Sequence, residues 1–313
     1  MRPIRFVSAA YRAEVFDRRL PPALEVEPGE VVTFETSDEA YVRLAAGERV
    51  EGIGLERFNA VTGPVSVREA EPGDALRVEV LEIAIERAWI AWVPGFGPFG
   101  ARLRGVQTHE AKITGRRVYL SERLSVPLEP MIGCIGLAPA EGQSSTLGPA
   151  FPWGGNLDLR ELSPGAAILL PVQVPGALLS LGDLHAAMGQ GEPALVAIEA
   201  AGRATVRIDL EKGRWLRCPR LLLAGATACL GLGETHAAAQ RSALEQAYAC
   251  LVGEWGLDTA EAYAYICARV ELRPGGPASP LVLAVVPDPS LSHGSRSPVR
   301  HPRQTGASED SHD

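Results

Sequence analysis

Three observations predict an α+β fold in which β-structure dominates. Short alternating apolar segments fill about the first 200 residues, Pro-Gly corners punctuate them, and helical spacing of apolar residues begins only after Thr235.

The corners justify the first strands. Glu25-Val26-Glu27-Pro28-Gly29-Glu30 leads into a strand expected over Val31–Glu35. Glu69-Ala70-Glu71-Pro72-Gly73-Asp74 leads into Ala75–Ile85, and Ser163-Pro164-Gly165 into Ala166–Val172. Proline presets φ at the first turn position, and glycine accepts φ > 0 at the second. The flanking segments are otherwise dissimilar, so this is shared turn chemistry, not a repeat. Within Leu76–Ile85, Leu76, Val78 and Val80 alternate with Arg77, Glu79 and Glu82, as in a strand with one buried face. Residues 194–210 read as a hairpin, Ala194–Ala200 and Thr205–Leu210, turning around Gly202. Helices follow. Thr235 caps one expected over His236–Leu251, with Ala239, Leu244, Ala247 and Leu251 on its apolar stripe. Asp258 caps a second over Thr259–Ala268. Residues 1–287 are expected to form one domain. Residues 288–313, polar and rich in Ser, Pro and Arg, read as a disordered tail.

Composition narrows the function. At 313 residues and 46% apolar, the chain can bury a full core. Its net charge of -8 and its lack of a basic cluster exclude a nucleic-acid partner. No run approaches the ~18 apolar residues of a membrane span. The charged N-terminal stretch lacks the apolar core of a signal peptide, so a cytoplasmic location is expected. Five cysteines, Cys134, Cys218, Cys229, Cys250 and Cys267, form no C-x-x-C pair and read as buried small hydrophobes. The two lysines, Lys112 and Lys212, read as exposed strand or turn residues. Of six histidines, His293, His301 and His312 lie in the tail, leaving His109, His185 and His236. His236, at a helix start, reads as a packing or capping residue. His109 lies near the end of residues 88–110, rich in glycine and aromatic residues, which read either as a loop over a pocket or as an ordinary packed loop; it reads as a structural histidine or as one that reaches the site.

The chemistry concentrates in residues 151–199. Asn156-x-Asp158 and Asp183-x-His185 each place two polar side chains on one side of an extended segment. Glu192 follows Gly189 and Gly191, which can fold the chain back. These groups can converge. Such a set suits zinc or another divalent ion with an open position for water. It equally suits metal-free acid–base chemistry on a carbonyl.

The string Gly154-Gly155-Asn156-Leu157-Asp158, the Leu170-Pro171-Val172 strand, Gly176-Ala177-Leu178 and Gly182-Asp183-Leu184-His185-Ala186 resemble, in order, the core of the acetamidase/formamidase family. Asn59-Ala60-Val61-Thr62-Gly63-Pro64, Glu69–Leu76 and Ile132–Pro139 agree as well, and the similarity runs over residues 15–272. The resemblance implies an antiparallel β-sandwich or barrel-like core with C-terminal helices. It also implies a homodimer or higher homo-oligomer and hydrolysis of a small linear carboxamide to the acid and ammonia. Carried over by position, the site residues are Asn156, Asp158, Asp183, His185 and Glu192, with Asn59 a weaker addition. The preferred mechanism has a divalent metal, zinc first, held by Asp183 and His185 with Asp158 or Glu192. Glu192 serves alternatively as general base, and Asn156 as oxyanion donor.

Four departures stand out. Met188 replaces a glutamine and Gln190 an aspartate, Trp153 precedes the Gly-Gly-Asn element, and Tyr11–Pro22 lacks the family's opening histidine. They raise two alternatives: a larger or different amide, or a non-catalytic small-molecule binder on the same fold. Other amidase classes fit poorly. Ser144-Ser145 has no supporting lysine, the Cys-Glu-Lys set of nitrilases is missing, G-x-S-x-G is absent, and a cupin-type site would want more than one nearby histidine.

Overall fold

The computed structural model describes residues 4–289 other than 93, 94, 103 and 106, so the expected tail lies outside the described residues from position 290 onward. Among the described residues, strands join into one sheet of 18 and a second of two. The pairings are antiparallel except where Arg5–Val7 meets Glu30–Glu35 and Leu24–Val26 meets Val61–Val67. This is the β-rich α+β architecture expected.

The three Pro-Gly corners each launch a strand, over Glu30–Glu35, Ala75–Trp92 and Ala167–Pro171, and their glycines stand at φ 86°, 97° and 95°. In Glu30–Glu35, Val32 and Phe34 are fully buried while Val31, Thr33 and Glu35 are not. Leu76, Val78 and Val80 point inward as predicted. One continuous core joins side chains from strands far apart in sequence, among them Phe34, Val65, Leu76, Ile132, Leu184 and Val206. The sheet therefore curls around a shared interior.

The hairpin expected over residues 194–210 is not there. Ile198–Glu211 is one strand running straight through Gly202, paired along its length with Ala75–Trp92. Gly202 is a point of close approach. A Cβ there would stand 2.0 Å from the Ala84 carbonyl oxygen, and the register shifts between Ala201 and Gly202. The residue gives the two long strands room to pass and does not reverse the chain.

Two short helices, α1 (Glu39–Ala45) and α2 (Val50–Ile53), followed by a 3₁₀ turn at Leu55–Asn59, were not expected so early. Segments this brief carry too few turns to show a period. The late helices match expectation. In α3 (His236–Gly253) the Thr235 hydroxyl accepts from the Ala238 N–H at 3.2 Å. In α4 (Thr259–Arg269) Asp258 and Glu261 form a reciprocal capping box. The buried stripe of α3 is Ala239, Ala243, Ala247 and Leu251, whereas Leu244 is half-buried. This stripe of small residues lets α3 lie close on the strands Ala226–Leu232 and Leu281–Pro287. His236 is exposed and does not pack, and His109 is exposed on the strand Gln107–Thr114. Lys112 and Lys212 are exposed, and four of the five cysteines are buried, Cys267 being the exception.

Among the described residues, no helix is long and apolar enough to cross a membrane. The strand that matters most for chemistry is Leu179–Ala187. It lies between Met131–Gly136 and Ile198–Glu211, so that His185 stands opposite Met131 on one side and Glu199 on the other.

Candidate active site

All five residues carried by the sequence pattern arrive at one place, but two of them by a different local route from the one expected. Asn156 ends the strand Gly154–Asn156. Asp158 lies beyond that strand, and its φ of 44° is left-handed rather than extended. Asp183 shares the strand Leu179–Ala187 with His185 but has φ 54°, and the ladder to Met131–Gly136 skips it. Both departures from extended geometry aim a carboxylate inward. Glu192 has φ 41° and closes a turn in which its N–H donates to the Gly189 carbonyl at 3.0 Å, the expected fold-back.

The carboxylates can approach because Gly133 sits beneath them. A Cβ there would be 2.6 Å from Asp183 Oδ2 and 2.8 Å from Asp158 Oδ1. His185, about 1% exposed, is surrounded by acids. Its Nε2 stands 3.4 Å from Asp183, 3.5 Å from Glu199 and 3.9 Å from Asp158.

Two neighbours complete the set. The Asn59 amide donates to Asn156 Oδ1 at 3.2 Å and to Asp183 Oδ2 at 3.0 Å, so Asn59 belongs to the site more firmly than an asparagine before a turn suggested. Glu199 was not anticipated. Its place opposite His185 depends on cross-strand register, which residue spacing along one segment does not report. It accepts from the Ala197 N–H at 2.9 Å and shares a hydrogen bond with the Tyr41 hydroxyl. The one available signal was the buried-strand pattern ending in Ala197-Ile198-Glu199, where a charge stands out.

Burial, reinforced by neighbouring carboxylates, pushes the Asp158 carboxyl up to about 7 and Glu192 up to about 9. Burial alone would lower the His185 imidazole. Glu199 and Asp183 outweigh it and hold the ring well above its ordinary value. A cluster so rich in acids favours a cation of some kind.

The donor set fits a divalent metal. Asp158, Asp183 and His185 form one group, and His185, Glu192 and Glu199 a second, with ligand atoms within 4.8 Å of one another in each. Asp158 Oδ1 and His185 Nδ1 are buried without a hydrogen-bond partner. Such orphaned atoms are costly alone and are what a coordinated ion satisfies.

A cavity of about 370 Å³ opens above these residues. Tyr41, Asn59, Asn156, Asp183, His185, Glu192 and Glu199 face it, and so do Trp92 and Phe96 of the aromatic segment. That segment borders the pocket as one reading had it, but its ends, 88–92 and 107–110, are strand and not loop. Met188 and Gln190 do not face it. Met188 packs with Met131 and Ala197, and the Gln190 amide donates to the Pro274 carbonyl at 2.9 Å. Neither replacement removes a group from the site, so the support they lent to a non-catalytic binder falls away. Trp153 stacks on Phe151, with centroids 5.2 Å apart, outside the cavity lining.

The known proteins decide the lineage. A model of the acetamidase/formamidase family matches residues 11–144 and 136–221. The chain belongs to the acetamidase/formamidase family. It is 46% identical to an acetamidase from Mycolicibacterium smegmatis over 62% of this chain and 64% of that protein. It is 24% identical to a formamidase from Methylophilus methylotrophus over 62% of each. The chain thus spans less than two thirds of the length of these curated relatives. The crystal structure of an acetamidase from Bacillus halodurans superposes with a TM-score of 0.82 at 33% identity, covering 90% of this chain and 95% of that one.

Proposed function

We propose that this chain hydrolyses the C–N bond of a small linear carboxamide, yielding the carboxylic acid and ammonia. One observation carries the reading: a buried histidine ringed by Asp158, Asp183, Glu192 and Glu199 forms the polar floor of an otherwise apolar cavity. Membership of the family and the names of the relatives support it.

Asp158, Asp183 and His185 would hold a divalent ion, with zinc matching the mixed nitrogen and oxygen donors. Bound there, such an ion supplies an activated water and polarises the amide carbonyl. The protein's own groups do the rest. Glu192, beside these ligands and facing the cavity, would be ionised once the ion's charge offsets the neighbouring acids that raise it. As a carboxylate it takes the proton from the attacking water and delivers it to the leaving nitrogen. Asn156 accepts from Asn59 through Oδ1, which leaves its Nδ2 free to donate to the carbonyl oxygen as negative charge develops. Glu199, held by Tyr41 and the Ala197 N–H, steadies the imidazole of His185. Water adds to the carbonyl carbon, the C–N bond breaks, and one carboxylic acid and one ammonia leave.

The test is ammonia release from formamide, acetamide and propionamide, with and without added zinc. The wild type is compared with His185→Ala, and folding is checked by circular dichroism. Release that falls at least about a hundredfold in the variant is expected from the loss of such a group. Release independent of His185 would place the chemistry elsewhere.

A further inference from the structure

The cavity is larger and more apolar than hydrolysis of the smallest amides requires. Its 370 Å³ accommodates about twelve heavy atoms at ~30 Å³ each, the share of a water in the liquid, and acetamide would use about a third of that. The polar groups stand together at the floor. Above them the wall is built by Leu44 of α1, Val50 of α2, Leu55 and Phe58 of the 3₁₀ turn, Trp92 and Leu195. Phe58 is braced edge-on by Tyr41, with centroids 5.1 Å apart at 81°, so this wall has a fixed shape. Among the described residues, no lysine or arginine lines the cavity, while three carboxylates, Asp183, Glu192 and Glu199, do.

We propose that the substrate is a primary carboxamide carrying an uncharged, apolar acyl group of about the size of a phenylacetyl or branched C5 chain. This rests on the reading of the pocket as an amide-hydrolysis site and names its substrate class. The carboxamide meets the polar floor through Asn156 and the His185 cluster. The acyl group lies against Leu44, Leu55, Phe58 and Trp92, where each buried carbon gains from leaving water. An acyl chain ending in a carboxylate is disfavoured, because the wall is apolar and, among the described residues, offers its charge no cation.

The experiment is a panel of acetamide, isovaleramide, phenylacetamide and succinamate, scored by kcat/KM for ammonia release and by calorimetric binding to the full-length protein. Phenylacetamide should exceed acetamide by at least about thirtyfold in kcat/KM, as expected for several buried carbons. Succinamate should fall at least about tenfold below isovaleramide. Leu55→Ala, at a residue 42% exposed and so tolerant of truncation, and Phe58→Ala should each cut the phenylacetamide-to-acetamide ratio about fivefold or more. Acetamide matching phenylacetamide, or a ratio unmoved in both folded variants, would overturn the inference. If no amide releases ammonia, the hydrolysis reading fails separately. Calorimetry then decides the inference: tighter binding of phenylacetamide than acetamide upholds it, and equal binding defeats it.

Discussion

Asp158, Asp183 and Glu192 stand at φ 44°, 54° and 41°, in the left-handed region that costs a non-glycine residue of order 1–3 kcal/mol. Three acids in that conformation, all facing one histidine, locate strain where the chemistry is. The same point carries like-charge crowding, since Asp158, Asp183 and Glu199 all act to disfavour ionisation of Glu192. Stability and activity should therefore oppose each other here. Glu192→Gln keeps the side-chain volume and removes one carboxyl. It should cut ammonia release by about 10²–10⁴, the usual contribution of a general base, while urea denaturation shows stability raised by about 1 kcal/mol. A variant that loses stability along with activity would make Glu192 a structural residue. At this scale the sequence was informative about residue identity and silent about conformation. The motif named Asn156, Asp158, Asp183, His185 and Glu192, and all converge. That Asp158 and Asp183 reach the site through left-handed backbone could not be read from the alternation of strand side chains. Glu199 and Tyr41 depend on pairing between segments 14 and 158 positions apart, the separations of His185 from Glu199 and of Tyr41 from Glu199.

Elements with a clear period or a capping residue were legible, and elements shaped by tertiary approach were not. Thr235 and Asp258 mark the starts of α3 and α4 because a side-chain oxygen satisfies a free N–H whatever lies elsewhere. The glycine at 202 was ambiguous, because turns and close approaches both select it. The structure resolves it as an approach, with the Thr36 hydroxyl accepting from the Gly202 N–H at 3.1 Å beside the Ala84 carbonyl. Gly202→Ala forces a Cβ against that carbonyl and should cost about 1–3 kcal/mol, as overpacking does. Chemical denaturation with an unchanged m-value checks this. A loss under about 0.3 kcal/mol would mean that the two long strands part freely and that the bulge does not depend on the missing side chain. The short helices α1 and α2 show the opposite failure. They carry Leu44 and Val50 of the cavity wall, yet span only seven and four residues.

At the scale of the whole molecule, the site is a meeting point of distant segments. Asn59, Asn156, Asp158, Asp183, His185, Glu192 and Glu199 come from the 3₁₀ turn Leu55–Asn59, three strands and the turns between them. A bound cation would tie these segments together only in the folded chain, because no single segment supplies its ligands. Binding to the native state alone stabilises it by about 2.7 kcal/mol at a ligand concentration a hundred times Kd. For a chain of this size that amounts to a rise of about 4 °C in Tm. Dialysis against a chelator should therefore lower Tm by about that amount, and stoichiometric zinc should restore it. The response should vanish in a folded His185 variant such as His185→Gln, since His185 belongs to both ligand groups. Calcium or magnesium should restore less, because an imidazole suits a transition metal better than an all-oxygen-seeking ion. A melting point indifferent to chelator and zinc, in a protein that still releases ammonia, would leave the acids and His185 acting by proton transfer alone. The orphaned Asp158 Oδ1 and His185 Nδ1 would then be groups that wait for water or substrate, and the strain at the three acids would serve the placing of protons in place of an ion.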